Sequence, residues 1–268
     1  MKNDSLPPTH EVVVTDQNNK KRNVAIPGES PLIIMVDGRE IVTVMTMGTY
    51  PRDLVLGFIR NQGLIKDIDD VESVNINWDT ETANIQIKPG KGLNGIRESL
   101  SKRTITSGCG GGTLFAQNMD ELYELNLPVL KIRQSNIYAL LEKLKTYNSI
   151  YRQAGSVHGC GLCDATSVLY FYEDVGRHNA ADTISGRMWI DGVYGGDKIL
   201  YTTGRLTSEI VIKAAMMGIP ALLSRSGVTK MGLELAQDLG LTLIARAKAK
   251  KFFVYNGEEN VIFDQAQP

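Results

Sequence analysis

The sequence predicts a mixed α/β protein, and two features support that prediction. From about residue 167 almost to the end, apolar strand-like runs alternate with helical patterns. That order is typical of parallel strands joined by right-handed helical crossovers. The first half instead contains short alternating strands around one helix, which is typical of a smaller α+β domain. We therefore predict an N-terminal α+β domain over residues 1–105 and a C-terminal α/β domain over residues 106–268.

A β-hairpin and a helix organise the predicted N-terminal domain. Asp37-Gly38 separates two apolar runs and supplies the positive φ values that a tight hairpin turn needs. Pro51 suits the first turn of the following helix, because proline loses no helical hydrogen bond there. The polar first 30 residues predict a loosely tied start. The predicted elements are strands at 32–36 and 41–45, a helix from Pro51 to near Gly63, and strands near 72–78 and 83–88.

Strands and helices alternate in the predicted C-terminal domain. Its helices end at Gly218 and Gly240, and glycine allows the left-handed conformation common after a helix. A stretch rich in glycine and lysine, residues 89–113, precedes this unit and predicts a mobile loop. The predicted elements are a helix from Ser135, strands at 198–203, 221–224 and 241–245, and helices at 208–217 and 229–239.

Composition and charge narrow the class of protein. The 268 residues are 43% hydrophobic, which supports a folded core of substantial size. The formal net charge of -1 argues against a general nucleic-acid or membrane-surface binder, because both partners attract strongly basic proteins. The start of the chain lacks the apolar run of a secretion signal, and no stretch of about 18 apolar residues occurs. These features predict a cytoplasmic protein.

Basic residues mark three predicted strand ends in the C-terminal domain. Ligands of open α/β sheets gather at the carboxyl ends of the strands, where helix N-termini favour anions. Guanidinium and ammonium groups at such an edge would bind phosphates, most simply those of a nucleotide. The alternative is that these basic residues form an exposed charged surface that binds no ligand. The predicted phosphate-binding residues are Arg205, Arg225, Arg246, Ala247, Lys248, Ala249, Lys250 and Lys251.

Cys109 lies in a Ser-Gly-Cys-Gly-Gly-Gly sequence with no apolar period. A thiol that accepts a sulfur atom and passes it on needs exposure, a lowered pKa and room to approach two partners. Structural cysteines instead occupy apolar periodic segments. The setting favours a chemical role for Cys109, and the alternative is an incidental loop thiol.

Cys160 and Cys163 form a Cys-x-x-Cys motif shortly after His158. The spacing suits half of a zinc or iron site, with the fourth ligand unassigned. It also suits a redox dithiol, although that motif normally lies between a strand and a helix. A third interpretation is that both are small, half-buried residues in a turn. The odd total of three cysteines favours a reducing compartment over a disulfide scaffold.

A dense polar motif occupies residues 172–182, with the sequence Tyr-Glu-Asp-Val-Gly-Arg-His-Asn-Ala-Ala-Asp. Acid, base and amide side chains at a strand-to-helix junction indicate a functional site, in which His178 could be a base, a ligand contact or a core histidine. The alternative is local: Asp174 or Asn179 caps a helix end and Arg177 pairs with an acid. The residues alone leave both interpretations open.

Several segments together resemble one known family. Residues 173–180, followed by Gly204-Arg205 and by Lys213-Ala214-Ala215, are similar to the formate dehydrogenase accessory sulfurtransferase (FdhD/NarQ) family. The first 30 residues and parts of 89–103 and 118–150 carry little of the resemblance. It also covers residues 50–58, 106–110, 155–158 and 241–255.

The resemblance implies a fold, a reaction and partners. The implied fold is a C-terminal three-layer αβα domain of the cytidine-deaminase type with a smaller N-terminal domain, and the implied assembly is a homodimer. Members accept persulfide sulfur from a cysteine desulfurase on a loop cysteine. They pass it to Mo-bis(molybdopterin guanine dinucleotide), the molybdenum cofactor of the formate dehydrogenase catalytic subunit. Cys109 matches the loop cysteine by its Thr-Ser-Gly-Cys-Gly setting, and residues 246–251 match the cofactor-binding segment by position. A guanine nucleotide could mimic this bound substrate.

The sequence departs from the family pattern in two places. Relatives carry Cys-x-x-Cys in the loop, but Gly112 stands where the second cysteine is expected. Sulfide therefore cannot be released by a disulfide within the loop, although one accepting thiol still suffices for persulfide carriage. Cys160 and Cys163 occur where relatives usually have small residues, so this pair could supply a resolving thiol or could have no role. No residue is assigned as a metal ligand.

Two other functions compete with sulfur transfer. A zinc nucleotide deaminase needs a glutamate close to its histidine ligand, whereas here Gly159 and Cys160 follow His158. A chaperone that binds the molybdenum cofactor without chemistry would leave Cys109 idle. Sulfur loading of Cys109 separates the carrier from the chaperone.

Overall fold

A computed structural model of the chain describes residues 4–91 and 122–265. Within these ranges the chain forms a six-stranded sheet, a four-stranded sheet and two small pairs of strands. Cys109, Gly112, most of the predicted loop at 89–113 and the predicted domain boundary lie outside the described residues.

The strands, in chain order, are β1 (Thr9–Thr15), β2 (Lys21–Pro27), β3 (Ser30–Val36), β4 (Arg39–Thr46), β5 (Val71–Asn77), β6 (Thr82–Ile87), β7 (Ile132–Arg133), β8 (His158–Cys163), β9 (Val168–Asp174), β10 (Ile199–Thr202), β11 (Ala221–Ser224), β12 (Thr242–Lys248), β13 (Lys251–Asn256) and β14 (Val261–Ile262). The α-helices are α1 (Pro51–Asn61), α2 (Gln134–Tyr147), α3 (Ser149–Ala154), α4 (Arg177–Ile190), α5 (Ser208–Met216) and α6 (Lys230–Asp238).

The four-stranded sheet and α1 confirm the elements predicted for the N-terminal half. Its order is β4-β3-β6-β5, with β3 and β6 parallel and the other pairs antiparallel. Asp37 (φ 48°) and Gly38 (φ 74°) form the turn between β3 and β4, in the left-handed conformation that the hairpin requires. The apolar face of α1, including Leu54 and Phe58, packs on this sheet and closes one core.

The start of the chain is more ordered than predicted, because β1 and β2 pair as an antiparallel hairpin. The Asp16 carboxylate organises its turn. It accepts hydrogen bonds from the backbone N–H groups of Asn18 and Lys20 at 2.9 and 3.0 Å, and Asn19 has a left-handed φ of 57°. Aspartate and asparagine are common turn residues for this reason. The expectation of a loosely tied start was wrong because it overlooked this turn beside the valines of β1.

The six-stranded sheet has the order β13-β12-β11-β10-β8-β9. The predicted parallel arrangement of β10, β11 and β12 is confirmed. Helices α4, α5 and α6 cover one face of this sheet, and α2 packs on the other face. The part of the chain that the structure describes is therefore a mixed α/β protein, and none of its helices is both long and apolar enough to cross a membrane.

Strand β8 was not predicted, although it lies inside the large sheet between β9 and β10. It runs antiparallel to both neighbours. His158, its first residue, therefore lies at the edge where β9 and β10 end. Cys160 joins the core beneath α4 to α6, while Cys163 joins the core beneath α2.

The crossing of α1 and α4 joins the two sheets through a pair of glycines. A Cβ atom added to Gly57 would lie 1.7 Å from the Asp182 carbonyl oxygen, and one added to Gly186 would lie 1.8 Å from the Asp53 carbonyl oxygen. No other amino acid allows the two backbones to approach this closely. The sequence pattern offered no sign of this contact, since each glycine lies inside a helix.

Candidate functional site

The predicted strand-end residues lie along one edge of the six-stranded sheet. Arg205 and Arg225 follow β10 and β11 and precede helices, as predicted. The third end differs, because β12 continues to Lys248 and turns directly into β13. Arg246 and Ala249 have left-handed φ values of 52° and 53° in this basic hairpin. No helix N-terminus therefore follows the run of basic residues, and side chains alone supply its positive charge.

A groove of about 1200 Å³ opens beside the basic hairpin. The Arg246 guanidinium lies 6.0 Å from the centre of the Phe253 ring, a cation–π contact. Phe253 and Phe263 are 60% and 56% exposed, so their rings can accept a planar ligand. The groove is lined by Gln134, Tyr138, Arg246, Lys248, Ala249, Lys250, Lys251, Phe253, Phe263 and Gln265.

A second cavity of about 290 Å³ adjoins the groove and shares Lys248 and Ala249 with it. Arg225 enters this cavity and hydrogen-bonds to Tyr201, whose pKa is raised chiefly by burial. Ala247 is fully buried in its wall, so the backbone rather than a side chain is presented there. The cavity is lined by Leu141, Lys145, Asn148, Tyr151, Arg152, Tyr201, Arg225, Ala247, Lys248 and Ala249.

Every charged residue described in the lining of these two cavities is basic. Lys145 is paired with Glu142 at 2.5 Å, and the remaining cationic side chains of the lining favour an anionic ligand with more than one charge, such as a polyphosphate. Aromatic rings beside them suit a base. No sequence pattern pointed to Lys145, Arg152 or the aromatic residues of α2 and the C-terminal segment, because they reach the edge from distant parts of the chain.

Arg205 lies apart from these cavities, and the structure places it with the polar motif instead. Its charge acts on His158, whose pKa is lowered first by burial and then by Arg177, His178 and Arg205. His158 Nδ1 lies 3.3 Å from the Thr203 hydroxyl. The sheet edge therefore has two basic regions, one on each side, where the sequence suggested a single one.

The polar motif at 172–182 is partly structural, but the capping interpretation was wrong, because Gly176 is the N-cap residue of α4 and neither Asp174 nor Asn179 caps that helix. The Asp174 carboxylate accepts hydrogen bonds from Gly176 N at 2.9 Å, Asn179 Nδ2 at 2.9 Å and Thr46 Oγ1 at 2.6 Å. Burial raises the Asp174 pKa and these hydrogen bonds oppose that rise. His178 is different, because its Nε2 lies 2.7 Å from a carboxylate oxygen of Glu209 on α5.

The structure contradicts all three interpretations of the Cys160 and Cys163 pair. Both residues lie in a buried strand rather than a turn, and their side chains enter cores on opposite faces of the sheet. They therefore cannot chelate one ion or form a disulfide with each other. Burial raises the pKa of each thiol to about 12. In the part of the chain that the structure describes, no group of three or more His, Cys, Asp or Glu residues could hold a metal ion.

Comparisons with known proteins agree on one group of relatives. The FdhD/NarQ family model matches residues 27–262. A "Sulfur carrier protein FdhD" from Listeria innocua is 33% identical over 236 residues, covering 87% of this chain and 90% of the relative. A protein of the same name from Staphylococcus aureus strain MRSA252 is 32% identical over 235 residues, covering 87% and 88%. The crystal structure of a "putative formate dehydrogenase accessory protein" from Desulfotalea psychrophila superposes with a TM-score of 0.74 at 25% identity, covering 95% of this chain and 98% of that one.

Proposed function

The chain belongs to the FdhD/NarQ family, and on that premise we propose that it carries persulfide sulfur on Cys109 for formate dehydrogenase. The donor is a cysteine desulfurase and the recipient is the molybdenum cofactor of the formate dehydrogenase catalytic subunit. We also propose that the protein is a homodimer and that it acts in the cytoplasm. Its C-terminal domain would have the cytidine-deaminase fold and would begin near residue 105.

The main support for this proposal is that the other two thiols of the chain are buried and protonated. Cys160 and Cys163 are both fully buried, and a pKa of about 12 leaves them almost wholly protonated at neutral pH. The thiolate is the nucleophile in sulfur transfer, so neither residue suits it. Of the three cysteines in the chain, that leaves Cys109, which lies outside the described residues.

The reaction would proceed in two steps at this one thiol. The Cys109 thiolate attacks the terminal sulfur of the donor persulfide, the donor S–S bond breaks, and the donor departs as a thiolate. This step forms a persulfide on Cys109 and is redox-neutral. Delivery as sulfide then breaks the new S–S bond and consumes two electrons, which a thiol reductant supplies while Cys109 returns to a thiolate.

The groove and the adjoining cavity would bind the guanine nucleotide part of the molybdenum cofactor. Arg246, Lys248, Lys250 and Lys251 would contact phosphates, and Phe253 would stack on a base. Arg225 would contact a further charged group in the smaller cavity. The lining fits this cargo because it combines cationic and aromatic side chains.

The first experiment measures sulfur loading by intact mass after incubation with a cysteine desulfurase and cysteine. We expect the parent protein to gain one sulfur atom that cyanide removes. Cys109→Ala should abolish the gain, whereas the Cys160→Ala/Cys163→Ala variant should load like the parent if it folds. Loading of Cys109→Ala would refute the assignment, and a parent protein that binds cofactor but never loads would be a chaperone.

The second experiment measures the binding of GDP by isothermal titration calorimetry. Lys248 lines both cavities, so Lys248→Ala should weaken binding by about tenfold, the effect of one charge-assisted hydrogen bond. Lys230→Ala is the matched control, because that lysine is 90% exposed on α6. Equal affinities for the two variants would show that the nucleotide binds elsewhere.

A further inference from the structure

A second group of basic side chains lies on the α4 and α5 side of the same sheet edge. His158 begins β8, Arg177 begins α4, and Arg205 follows β10. The charges of Arg177, His178 and Arg205 all act on His158, so the four side chains share one electrostatic environment. We call these four residues the histidine cluster. The sulfur-carrier reaction proposed above uses none of them.

Two buried polar atoms in and beside the histidine cluster have no hydrogen-bond partner among the described residues. His178 is 3% exposed, and its Nδ1 atom is one of them. The other is the hydroxyl of Thr207, which is the N-cap residue of α5 but does not cap that helix. Native proteins seldom leave buried polar atoms unpaired. A hydroxyl and an imidazole nitrogen left over beside arginines indicate the place of a ligand.

The surrounding backbone favours a negatively charged ligand. Helix α4 has 14 residues and α5 has 9, and both begin at the histidine cluster with their partial positive charge directed toward it. The nearby carboxylates are already engaged. Glu209 lies against His178, and Asp182 pairs with Lys213 at 2.5 Å. Each of these two carboxylates therefore already has a basic partner within the protein.

We propose that the histidine cluster binds a small tetrahedral anion, of the phosphate or thiosulfate type, at a site separate from the nucleotide groove. Arg205 is exposed and contacts the anion first, His158 and Arg177 are partly exposed, and buried His178 forms the deeper side of the site. Along the sheet edge, β10 and β12 are two strand spacings apart, which is about 10 Å. This distance is longer than a small tetrahedral anion, so one such anion cannot span both strand ends. Arg225 and Lys248 face the other side and take no part.

The test is a titration followed by the NMR signals of the histidine rings in the full-length protein. The chain has three histidines, and His10 in β1 serves as an internal reference. Phosphate and thiosulfate are added separately at constant ionic strength with chloride. We expect the His158 and His178 signals to shift and saturate with at least one anion while His10 stays unchanged. The anion that shifts the histidine signals to saturation, whether phosphate, thiosulfate or both, identifies the chemical class of the natural ligand.

Matched arginine variants decide whether the effect belongs to the histidine cluster. Arg205→Ala should weaken binding of the anion by about tenfold. The anion affinity of Arg205→Lys should lie between that of Arg205→Ala and that of the parent protein. Arg225→Ala removes the same side chain from the next strand end and should leave the anion affinity within about twofold. A linear response, an equal shift of His10, or parental affinity in Arg205→Ala would overturn the proposal. None of these readouts depends on sulfur loading.

Discussion

Replacing Gly186 with alanine should unfold the protein or destabilise it by more than about 3 kcal/mol, the upper end of the usual cost of overpacking. The new Cβ would lie 1.8 Å from the Asp53 carbonyl oxygen. That neighbour is backbone of α1, so no side-chain rotation can relieve the overlap. The helices would have to separate and expose the packing between the two sheets. Gly57→Ala should act in the same way, because its Cβ would lie 1.7 Å from the Asp182 carbonyl oxygen.

Urea unfolding followed by circular dichroism, together with soluble yield, measures this effect. Gly227→Ala is the control, since a Cβ there meets nothing within 4 Å and its φ is not left-handed. We expect the control to differ from the parent by no more than about 0.5 kcal/mol. A Gly186→Ala protein as stable as the Gly227→Ala protein would mean that α1 and α4 do not cross as described.

Asp182→Ala should cost about 3–5 kcal/mol, because it would leave the buried Lys213 ammonium without its counter-charge. Asp182 and Lys213 are 2% and 4% exposed. Asn61 of α1 donates to the same carboxylate oxygen at 2.7 Å, and its own oxygen accepts from Ser185 Oγ at 2.8 Å. The pair therefore links α1, α4 and α5. Its loss should also loosen the helix crossing.

A second variant separates the cost of the unpaired charge from the cost of lost packing. Asp182→Leu/Lys213→Met removes both charges and should recover most of the lost stability, as buried ion pairs often permit. The exposed pair Lys230–Glu234 provides the control, and Lys230→Ala should change stability by less than about 1 kcal/mol. Denaturant midpoints of the four proteins are compared. An Asp182→Ala protein no less stable than Lys230→Ala would contradict the buried pair.

Local patterns predicted those parts of the fold that depend on neighbouring residues. The Asp37-Gly38 turn, the start of α1 at Pro51 and the parallel β10, β11 and β12 all follow from turn chemistry or apolar period. Strand β8 did not, because His-Gly-Cys-Gly-Leu-Cys contains no β-branched residue and resembles a metal motif. Its burial comes from the strands on both sides. The glycine contact of α1 and α4 is also non-local and has no sequence signal.

The candidate site could likewise be predicted only where it depends on neighbouring residues. The basic character of the sheet edge followed from the position of arginines after strands. The side of the sheet that each side chain faces could not be predicted, because residues after the end of a strand no longer alternate between the two faces with period two. Arg225 directly follows β11 whereas Arg205 comes three residues after β10, and the two side chains lie on different sides of the sheet. Lys145 and Arg152 come from α2 and α3, far from the edge in sequence.

Under the proposed carrier function, the burial of Cys160 and Cys163 in the cores on the two faces of β8 limits how many sulfur atoms one copy of the chain can hold. With Cys109 as the carrier, each copy has a single chargeable position and transports one sulfane atom per encounter. It must be emptied before it can be charged again, so donor and recipient take turns at the same atom. Throughput then depends on the number of copies and on how quickly each exchanges partners.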